Sequence, residues 1–164
     1  PYSGGRYSHL VSPTGLIQSD SPIVVRKSEE ILKGEKNSLK AAKKINNWVY
    51  QNLKKVPTVS IPNALDVLET GEGDCNEHAA LFAALSRASG IPTKIALGIV
   101  YVGEKFYYHA WNEVFVGKWV SVDPAFGQFP ADASHIKFIE GDLSRASEII
   151  RLVGKINLDI KEAS

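Results

Sequence analysis

The feature that most constrains this chain is the segment 73–78, GDCNEH, which places its single cysteine at the predicted start of a helix. Asp74 is a favourable N-cap, and Glu77 three residues later completes a capping-box pattern. At that position, Cys75 meets unpaired backbone amides and the positive end of the helix dipole, which favour a thiolate. Two interpretations stay open: an activated nucleophile, or a small buried residue of the core, since free cysteine is often buried.

Composition excludes several classes of function. The 164 residues are 44% hydrophobic and 23% charged, which fits one soluble globular domain. Nineteen basic and eighteen acidic side chains give a formal charge of +1, so nothing favours a nucleic-acid or membrane-surface partner. One cysteine excludes an intrachain disulfide and a cysteine-rich zinc site. The apolar runs are shorter than the roughly 20 residues that span a bilayer.

We predict two parts, an N-terminal arm with a short helix over residues 1–37 and a core over residues 38–164 with a C-terminal helix and strand. Residues 1–19 are rich in Gly, Ser, Pro and Tyr, which is typical of an extended arm or a linker. The chain starts without Met, so we expect a piece of a longer protein that is attached to an upstream exported or membrane-anchored region.

Hydrophobic periodicity predicts helices first and then strands. Caps and breakers bound four helices: 22–33, 38–53, 64–68 and 75–89. Pro57 and Pro62 predict an extended link between the second and third helices. An antiparallel meander should follow over 94–102, 105–116 and 119–122, with turns at Gly103-Glu104 and Gly117-Lys118. A loop over 124–134, a short strand over 136–139, a helix from Asp142 or Ser144 and a last strand over 156–160 complete the prediction.

A cysteine nucleophile needs a base and an orienting group, and the candidates are His109 on the central strand and Asp123 before Pro124. Taken singly, a strand histidine is more often a core residue and an Asp before Pro is more often a turn former. Hairpin geometry provides a test, because side chains alternate between the two faces of a sheet. A two-residue turn at Gly117-Lys118 would place Asp123 on the face opposite His109. A three-residue loop or a bulge would place both on one face, with Asp123 opposite Trp111.

Four motifs then resemble one family. They are the GDC that begins the cysteine helix, GIPT over 90–93, HAWNEV over 109–114 and WVSVDP over 119–124. Together they resemble the transglutaminase-like superfamily, the bacterial relatives of transglutaminases and papain-like cysteine proteases, over residues 38–140. The resemblance implies an α+β fold in which the cysteine helix packs on an antiparallel sheet. It also implies Cys75 as nucleophile, His109 as general base and acid, and Asp123 as the residue that orients the imidazole.

The sequence departs from the animal transglutaminases in two ways. The segment 60–63 lacks the oxyanion-stabilising Trp that those enzymes carry, so we expect the backbone amide of Cys75, with the side chain of Asn63 as a second donor, to take that role. No calcium-binding loop is present, and no cofactor is expected. A metal site built from Cys75, His78, His109 and Asp123 is the least economical reading of these groups.

Further residues are expected to support the site without reacting. His78 is the rival base, but it would have to turn back over the helix start, so we place it, with the caps Asp74 and Glu77, around the nucleophile. Trp111 and Glu113 lie on the same predicted strand as His109 and on the same face of it, where they would support the site. We expect His135 to be an exposed loop histidine that lines the cleft. Tyr107, Tyr108, Trp111 and Trp119 would form either a substrate wall or part of the core.

The sequence thus predicts a thiol-dependent hydrolase or acyl transferase that acts on peptide or isopeptide amides, with hydrolysis favoured over transamidation. The alternative is a non-catalytic peptide- or cell-wall-binding domain that retains the fold. The expected partner is a protein or peptide substrate. The resemblance further implies a periplasmic or cell-surface location.

Overall fold

A computed structural model describes residues 5–58, 62–141, 143–153 and 155. The fold is α+β, as predicted, with helices packed on a four-stranded antiparallel sheet. The helices are α1 Pro22–Leu32, α2 Ser38–Asn52, α3 Ala64–Thr70, α4 Cys75–Ala88 and α5 Ala146–Val153, and the strands are β1 Lys54–Lys55, β2 Glu72–Gly73, β3 Thr93–Val102, β4 Lys105–Phe115, β5 Trp119–Val122 and β6 His135–Gly141. The predicted link over 59–61, the start at Asp142 and the strand over 156–160 lie outside the described residues.

Local capping chemistry sets the helix boundaries: the four helices begin at the predicted residues and end within two residues of the predicted ends. The Ser21 side chain accepts the amide of Ile23 at the start of α1, where Pro22 has no N–H to satisfy. The Asn37 side chain accepts the amide of Lys40 at the start of α2. Helix α3 ends where Gly71 adopts left-handed angles, which a residue without Cβ takes at little cost.

Helix α4 is the centre of the core. Its large apolar side chains Leu81, Phe82 and Leu85 are fully buried, and burial of each contributes about 1.5–3 kcal/mol. Four of its five alanines are also fully buried, at 79, 80, 83 and 84. Because alanine has a short side chain, helices α1, α2 and α3 and strands β3 and β4 can all pack on α4. The cysteine at its first position is therefore fixed to a rigid element.

The sheet has the strand order β5-β4-β3-β6, with every neighbouring pair antiparallel. The first three strands form the predicted meander, and β6 adds to the free edge of β3. Gly103 and Glu104 form a two-residue turn between β3 and β4, since Val102 pairs with Lys105. Both turn residues have positive φ, at 56° and 67°, which suits the twist of a tight hairpin.

The β4–β5 hairpin has the three-residue connection that a shared face for His109 and Asp123 requires. Phe115 pairs with Trp119, and the amide of Val116 donates to the carbonyl of Lys118 across the loop. Gly117 sits at the tip with φ 94°, a conformation that favours glycine. The prediction of an irregular hairpin is confirmed.

The N-terminal segment is more integrated than an extended arm. Ile17 is buried in the core, and the carbonyl of Leu16 accepts the amide of Ala64 at the start of α3. The carbonyl of Ser12 accepts a hydrogen bond from the largely buried Arg87 of α4. These backbone contacts hold residues 12–17 against the helices. No helix among the described residues is both long and apolar enough to cross a bilayer.

Candidate active site

The start of α4 is built as a complete capping box. The Asp74 side chain accepts the amides of Asn76 and Glu77, while the Glu77 carboxylate accepts the amide of Asp74 at 3.0 Å. The other Glu77 oxygen accepts the hydroxyl of Thr58 at 2.8 Å. Glu77 is only 3% exposed, so these bonds hold a buried carboxylate where it fixes the position of Cys75.

The partly buried thiol of Cys75 lies against the central strand. The backbone N–H of Ala110, the residue after His109, faces the thiol and favours its charged form. Strand β5 ends at Val122, which pairs with Asn112, so Ala110 lies past the last β4–β5 pair. The early end of β5 leaves this amide available to the cysteine at the helix start.

The surroundings of the thiol disfavour its charged form. Burial, followed by the nearby carboxylate of Asp74, raises the pKa of Cys75 to about 12, and the Ala110 amide only partly offsets them. The carboxylates of Asp123 and Glu77 add to the increase. Desolvation and the negative neighbours of Cys75 thus oppose the thiolate that the helix start favours.

His109 and Asp123 form a direct, buried pair. The Nε2 of His109 lies 2.7 Å from Oδ2 of Asp123, and the two residues are 4% and 0% exposed. The imidazole is stacked between the rings of Trp111 and Phe126, at centroid distances of 6.1 and 4.7 Å. Because Nε2 faces a carboxylate, it carries the proton of the neutral ring, and Nδ1 is the basic nitrogen.

Asp123 is an ionised carboxylate in a site without solvent. Its Oδ1 accepts the amides of Ala125 and Phe126, at 2.8 and 3.0 Å. Burial alone would raise its pKa, but hydrogen bonds from His109 and His135 overcome burial and hold the pKa of Asp123 well below its usual range. The loop after β5 therefore supplies much of the stabilisation of the orienting charge.

His135 lies deeper in the site than the sequence analysis predicted, and its contact with Asp123 was not foreseen. We predicted an exposed loop histidine, but it begins β6, and its side chain is 3% exposed. Its Nε2 lies 2.9 Å from the same Asp123 Oδ2 that contacts His109. The loop over 124–134 folds back to bring it there, and no local pattern in the sequence encodes that return.

The rival base His78 points back towards the helix start. Its Nδ1 lies 2.6 Å from the carbonyl oxygen of Asp74, and the residue is fully buried. Burial lowers its pKa, so the neutral ring with a proton on Nδ1 fits this position. His78 thus packs around the helix start, and its supporting role stays a prediction.

The proposed oxyanion donor Asn63 has a structural task. Its side-chain oxygen accepts the amide of Leu65 and caps α3. It lines a cavity of about 220 Å³ together with Thr58 and Glu77, on the cap side of the α4 start. Its role as an oxyanion donor stays a prediction.

Strand β4 contributes further residues that were singled out in the sequence. Trp111 is 2% exposed, and its indole N–H donates to Ser121 Oγ at 3.0 Å. Glu113 forms an ion pair with Lys137 at 2.8 Å, directed away from the thiol towards β6. Tyr108 donates to the side chain of Asn76 at 2.7 Å and joins β4 to α4, whereas Tyr107 is 52% exposed. The predicted aromatic group is therefore divided between core and surface.

Among the described residues, His109, Asp123 and His135 are the group whose metal-ligating atoms lie close enough for one ion, within 4.8 Å of one another. This group differs from the set considered in the sequence analysis, which contained Cys75 and His78. Hydrogen bonds to Asp123 already account for the spacing of the three side chains.

Comparison with known sequences gives one family. Residues 26–124 match the sequence model of the transglutaminase-like superfamily. An uncharacterized protein of Haemophilus influenzae is 37% identical over 82 residues, which are 47% of this chain and 22% of that protein. The kyphoscoliosis peptidase of Mus musculus is 30% identical over 82 residues, which are 44% of this chain and 12% of the peptidase. The chain spans less than a quarter of either relative.

Solved structures share the fold. A protein of Cytophaga hutchinsonii, named as a candidate cysteine protease, superposes with a TM-score of 0.77 at 23% identity, over 89% of this chain and 50% of that one. The periplasmic domain of TgpA from Pseudomonas aeruginosa superposes with a TM-score of 0.56 at 18% identity, over 92% of this chain and 51% of that one. The architecture around Cys75 thus recurs at low sequence identity.

Proposed function

Because the chain belongs to the transglutaminase-like superfamily, we propose that it is a thiol-dependent enzyme that attacks the amide carbonyls of peptides or isopeptides. Cys75 is the nucleophile, His109 the general base and acid, and Asp123 the residue that orients the imidazole. One observation carries this proposal: the strand that holds the buried His109–Asp123 pair also brings the Ala110 backbone amide next to the Cys75 thiol.

The hydrogen bonds assign a role to each imidazole nitrogen. Nε2 of His109 is engaged with Asp123, so Nδ1 takes the thiol proton. The raised pKa of Cys75 favours a neutral thiol in the resting site, and proton transfer to His109 then accompanies attack. The sulfur bonds to the carbonyl carbon, and His109 returns the proton to the leaving amine. Water, deprotonated by His109, then cleaves the thioester, which releases a carboxylic acid and restores the thiol.

The start of α4 supports the oxyanion proposal. The side chain of Asp74 takes the amides of Asn76 and Glu77, and its carbonyl takes the amide of His78. The amide of Cys75 precedes these in the helix, and we propose it as the first oxyanion donor because it belongs to the residue that attacks the carbonyl. Asn63 remains the proposed second donor.

Adduct formation at the single cysteine tests this function. Because His109 takes the thiol proton as the sulfur attacks, iodoacetamide should alkylate Cys75 at neutral pH faster than it alkylates a free cysteine in a model peptide, although the resting thiol is neutral. Intact mass locates the adduct because the chain has one cysteine. His109→Asn should reduce the rate towards that of the peptide, whereas His9→Asn, at an exposed histidine, should not. An unsubstituted protein that reacts no faster than the peptide would contradict the enzyme proposal.

A non-catalytic peptide- or cell-wall-binding domain is the second candidate, and the high pKa of the thiol favours it. Such a domain would retain peptide or cell-wall fragments without forming a thioester. Incubation with peptides followed by mass spectrometry separates the two candidates. An acyl adduct that is absent from Cys75→Ser supports the enzyme, and retention of intact ligand by both proteins supports the binding domain.

We favour hydrolysis over transamidation. The name of the mouse relative is that of a peptidase, and one structural neighbour is named as a candidate cysteine protease. Peptide turnover in the presence of a primary amine distinguishes the reactions by product mass. A free carboxylic acid should predominate, and a product that carries the added amine would show transfer instead.

We propose a periplasmic or cell-surface location, with the chain as one part of a longer exported protein. The TgpA domain that shares this fold is named as periplasmic. Fractionation of the source cells with an antibody to this domain checks the proposal. Signal in the cytosolic fraction alone would exclude export.

A further inference from the structure

His135 faces acceptor oxygens at both of its ring nitrogens. Its Nε2 lies 2.9 Å from Asp123 Oδ2. Its Nδ1 lies 3.2 Å from the carbonyl oxygen of Asp132 and 3.3 Å from Oδ1 of the same residue. The Ser134 hydroxyl is also near Nδ1, but it donates its own proton to Asp132 Oδ1. Only the imidazolium has an N–H on both nitrogens, so these contacts are satisfied when His135 is charged.

The fold contains a specific device that brings His135 to this position. His135 pairs with Val100 on β3, whereas further along the same pair of strands the register shifts by one residue between Leu97 and Gly98. A side chain at Gly98 would meet the carbonyl oxygen of Ile136 at 2.1 Å, so the close approach of β6 requires glycine there. Gly98 pairs with His109, and Val100 pairs with Tyr107. The register on β6 therefore places His135 on the face of the sheet that carries His109.

We propose that His135 is a positioning residue of the active site, an imidazolium that holds Asp123 in place and offsets part of the negative charge that Asp123 presents to His109. This inference rests on the proposed function for its catalytic meaning. Its structural content, the charge state of His135 and its effect on His109, can be measured without any substrate.

The electrostatic reasoning follows from a shared atom. His109 and His135 both contact Oδ2 of Asp123, and their ring centroids are 5.6 Å apart. A positive charge on His135 therefore offsets part of the negative charge that His109 experiences from Asp123. The raised pKa of His135 agrees, since burial opposes its charge but Asp123 and Asp132 outweigh burial.

The other rings in contact with His135 are those of Trp111 and Phe126, which carry no charge. Among the described residues, the titratable groups in contact with His135 are therefore Asp123, Asp132 and His109. Asp132 is solvent-exposed, so its influence is weakened by screening, and Asp123 is the dominant partner.

Nuclear magnetic resonance of the imidazole nitrogens tests the proposal in Cys75→Ala, where no thiol titrates. In that parent, both nitrogens of His135 should be protonated at pH 7. His135→Gln retains an N–H donor but not the charge, so the pKa of His109 should rise by about one unit. His135→Phe should also raise it, with a less ordered Asp123 because the donor is lost. His9→Gln, at an exposed position, should leave His109 unchanged.

A neutral His135 at pH 7 in the parent protein would overturn the proposal, and that measurement needs no variant that might fail to fold. An unchanged His109 titration in a folded His135→Gln would also overturn it, because a purely structural histidine changes thermal stability but not the basicity of a neighbour. Failure of the proposed function looks different. There, the His109 titration shifts as expected while Cys75 in the unsubstituted protein reacts no faster than a model peptide.

Discussion

Two carboxyl groups that approach the same thiol have opposite proton affinities. Asp74, before Cys75, has its pKa raised to about 7 by burial and by its hydrogen bond to Glu77. Asp123, after β5, is more deeply buried, yet the imidazoles of His109 and His135 hold its pKa below the usual range. Depth alone would predict the reverse order. The chemical nature of the partners, an acid in one region and N–H donors in the other, therefore decides which carboxyl group carries a charge.

Each of the two regions also contains a histidine, His78 near Asp74 and His109 beside Asp123. Replacing these two histidines should give the largest difference in turnover. His109→Ala should reduce turnover by at least about 10⁴-fold, because it removes the proposed base. His78→Ala should retain turnover within about tenfold while it lowers the free energy of unfolding by about 1–3 kcal/mol, since a buried ring and its hydrogen bond to Asp74 are lost. Steady-state kinetics and urea unfolding measure both. Equal losses of turnover in two folded variants would mean that His78 is the base.

Replacing the two carboxyl groups should also have unequal effects on kcat. Asp123→Asn should lower kcat by about 10³- to 10⁴-fold, because the amide has no charge and can fix the wrong tautomer of His109. Asp74→Asn should change kcat by less than about tenfold, since Asn is also a good N-cap. Asp20→Asn serves as the exposed control. A kcat for Asp123→Asn close to that of the unsubstituted protein would remove Asp123 from the proposed mechanism.

Stability should depend on pH in opposite directions in the two regions. Folded Asp74 keeps its proton up to pH of about 7, whereas the unfolded chain loses it near 4, so Asp74 makes the protein less stable as pH rises through that interval. Asp123 has a lowered pKa, so its stabilisation is present above about pH 4 and is lost as pH falls further. Urea unfolding from pH 3 to 8 should show that Asp74→Asn reduces the fall in the free energy of unfolding between about pH 4 and pH 7. A fall of the same size in Asp74→Asn and in the exposed control Asp20→Asn would refute this assignment.

The smallest effect is expected at Glu113, a third carboxylate on the same face of β4 as His109. Its ion pair with Lys137 is partly open to solvent, so Glu113→Gln should cost at most about 1 kcal/mol. Turnover should stay within about twofold of the unsubstituted protein. Glu148→Gln, which breaks the exposed pair with Arg145, is the matched control. A large loss of turnover at Glu113 alone would make it part of the site.

Features that depend on local sequence were predictable. The caps at Ser21, Asn37 and Asp74 and the glycine after α3 act over two to four residues, so the helix boundaries follow from the chain itself. The three-residue loop around Gly117 followed from the condition that His109 and Asp123 act together. Alternation along β4 and β5 left only one class of connection compatible with a shared face for His109 and Asp123.

Features that depend on distant contacts were not predictable. His135 reaches Asp123 because β6 pairs with β3 in a shifted register. That pairing requires glycine at position 98, since a side chain there would collide with the backbone of β6. The pKa of Cys75 depends on how deeply the thiol is buried and on Asp123, 48 positions away in the sequence, counted from 75 to 123. A pattern of residue types along the chain does not indicate how deeply a side chain is buried or how close it lies to a residue far away in the sequence.

The way in which Asp123 is held has a consequence for dynamics. Its side chain accepts the amides of Ala125 and Phe126 at the start of the following loop, its backbone bridges to Gln128, and His135 contacts it where the loop ends. The loop and the carboxylate thus form one cooperative unit, in which local unfolding of residues 124–134 and loss of the orienting charge are the same event. The backbone amides of Ala125 and Phe126 should exchange with deuterium at one common rate, and that rate reports how often the site is dismantled.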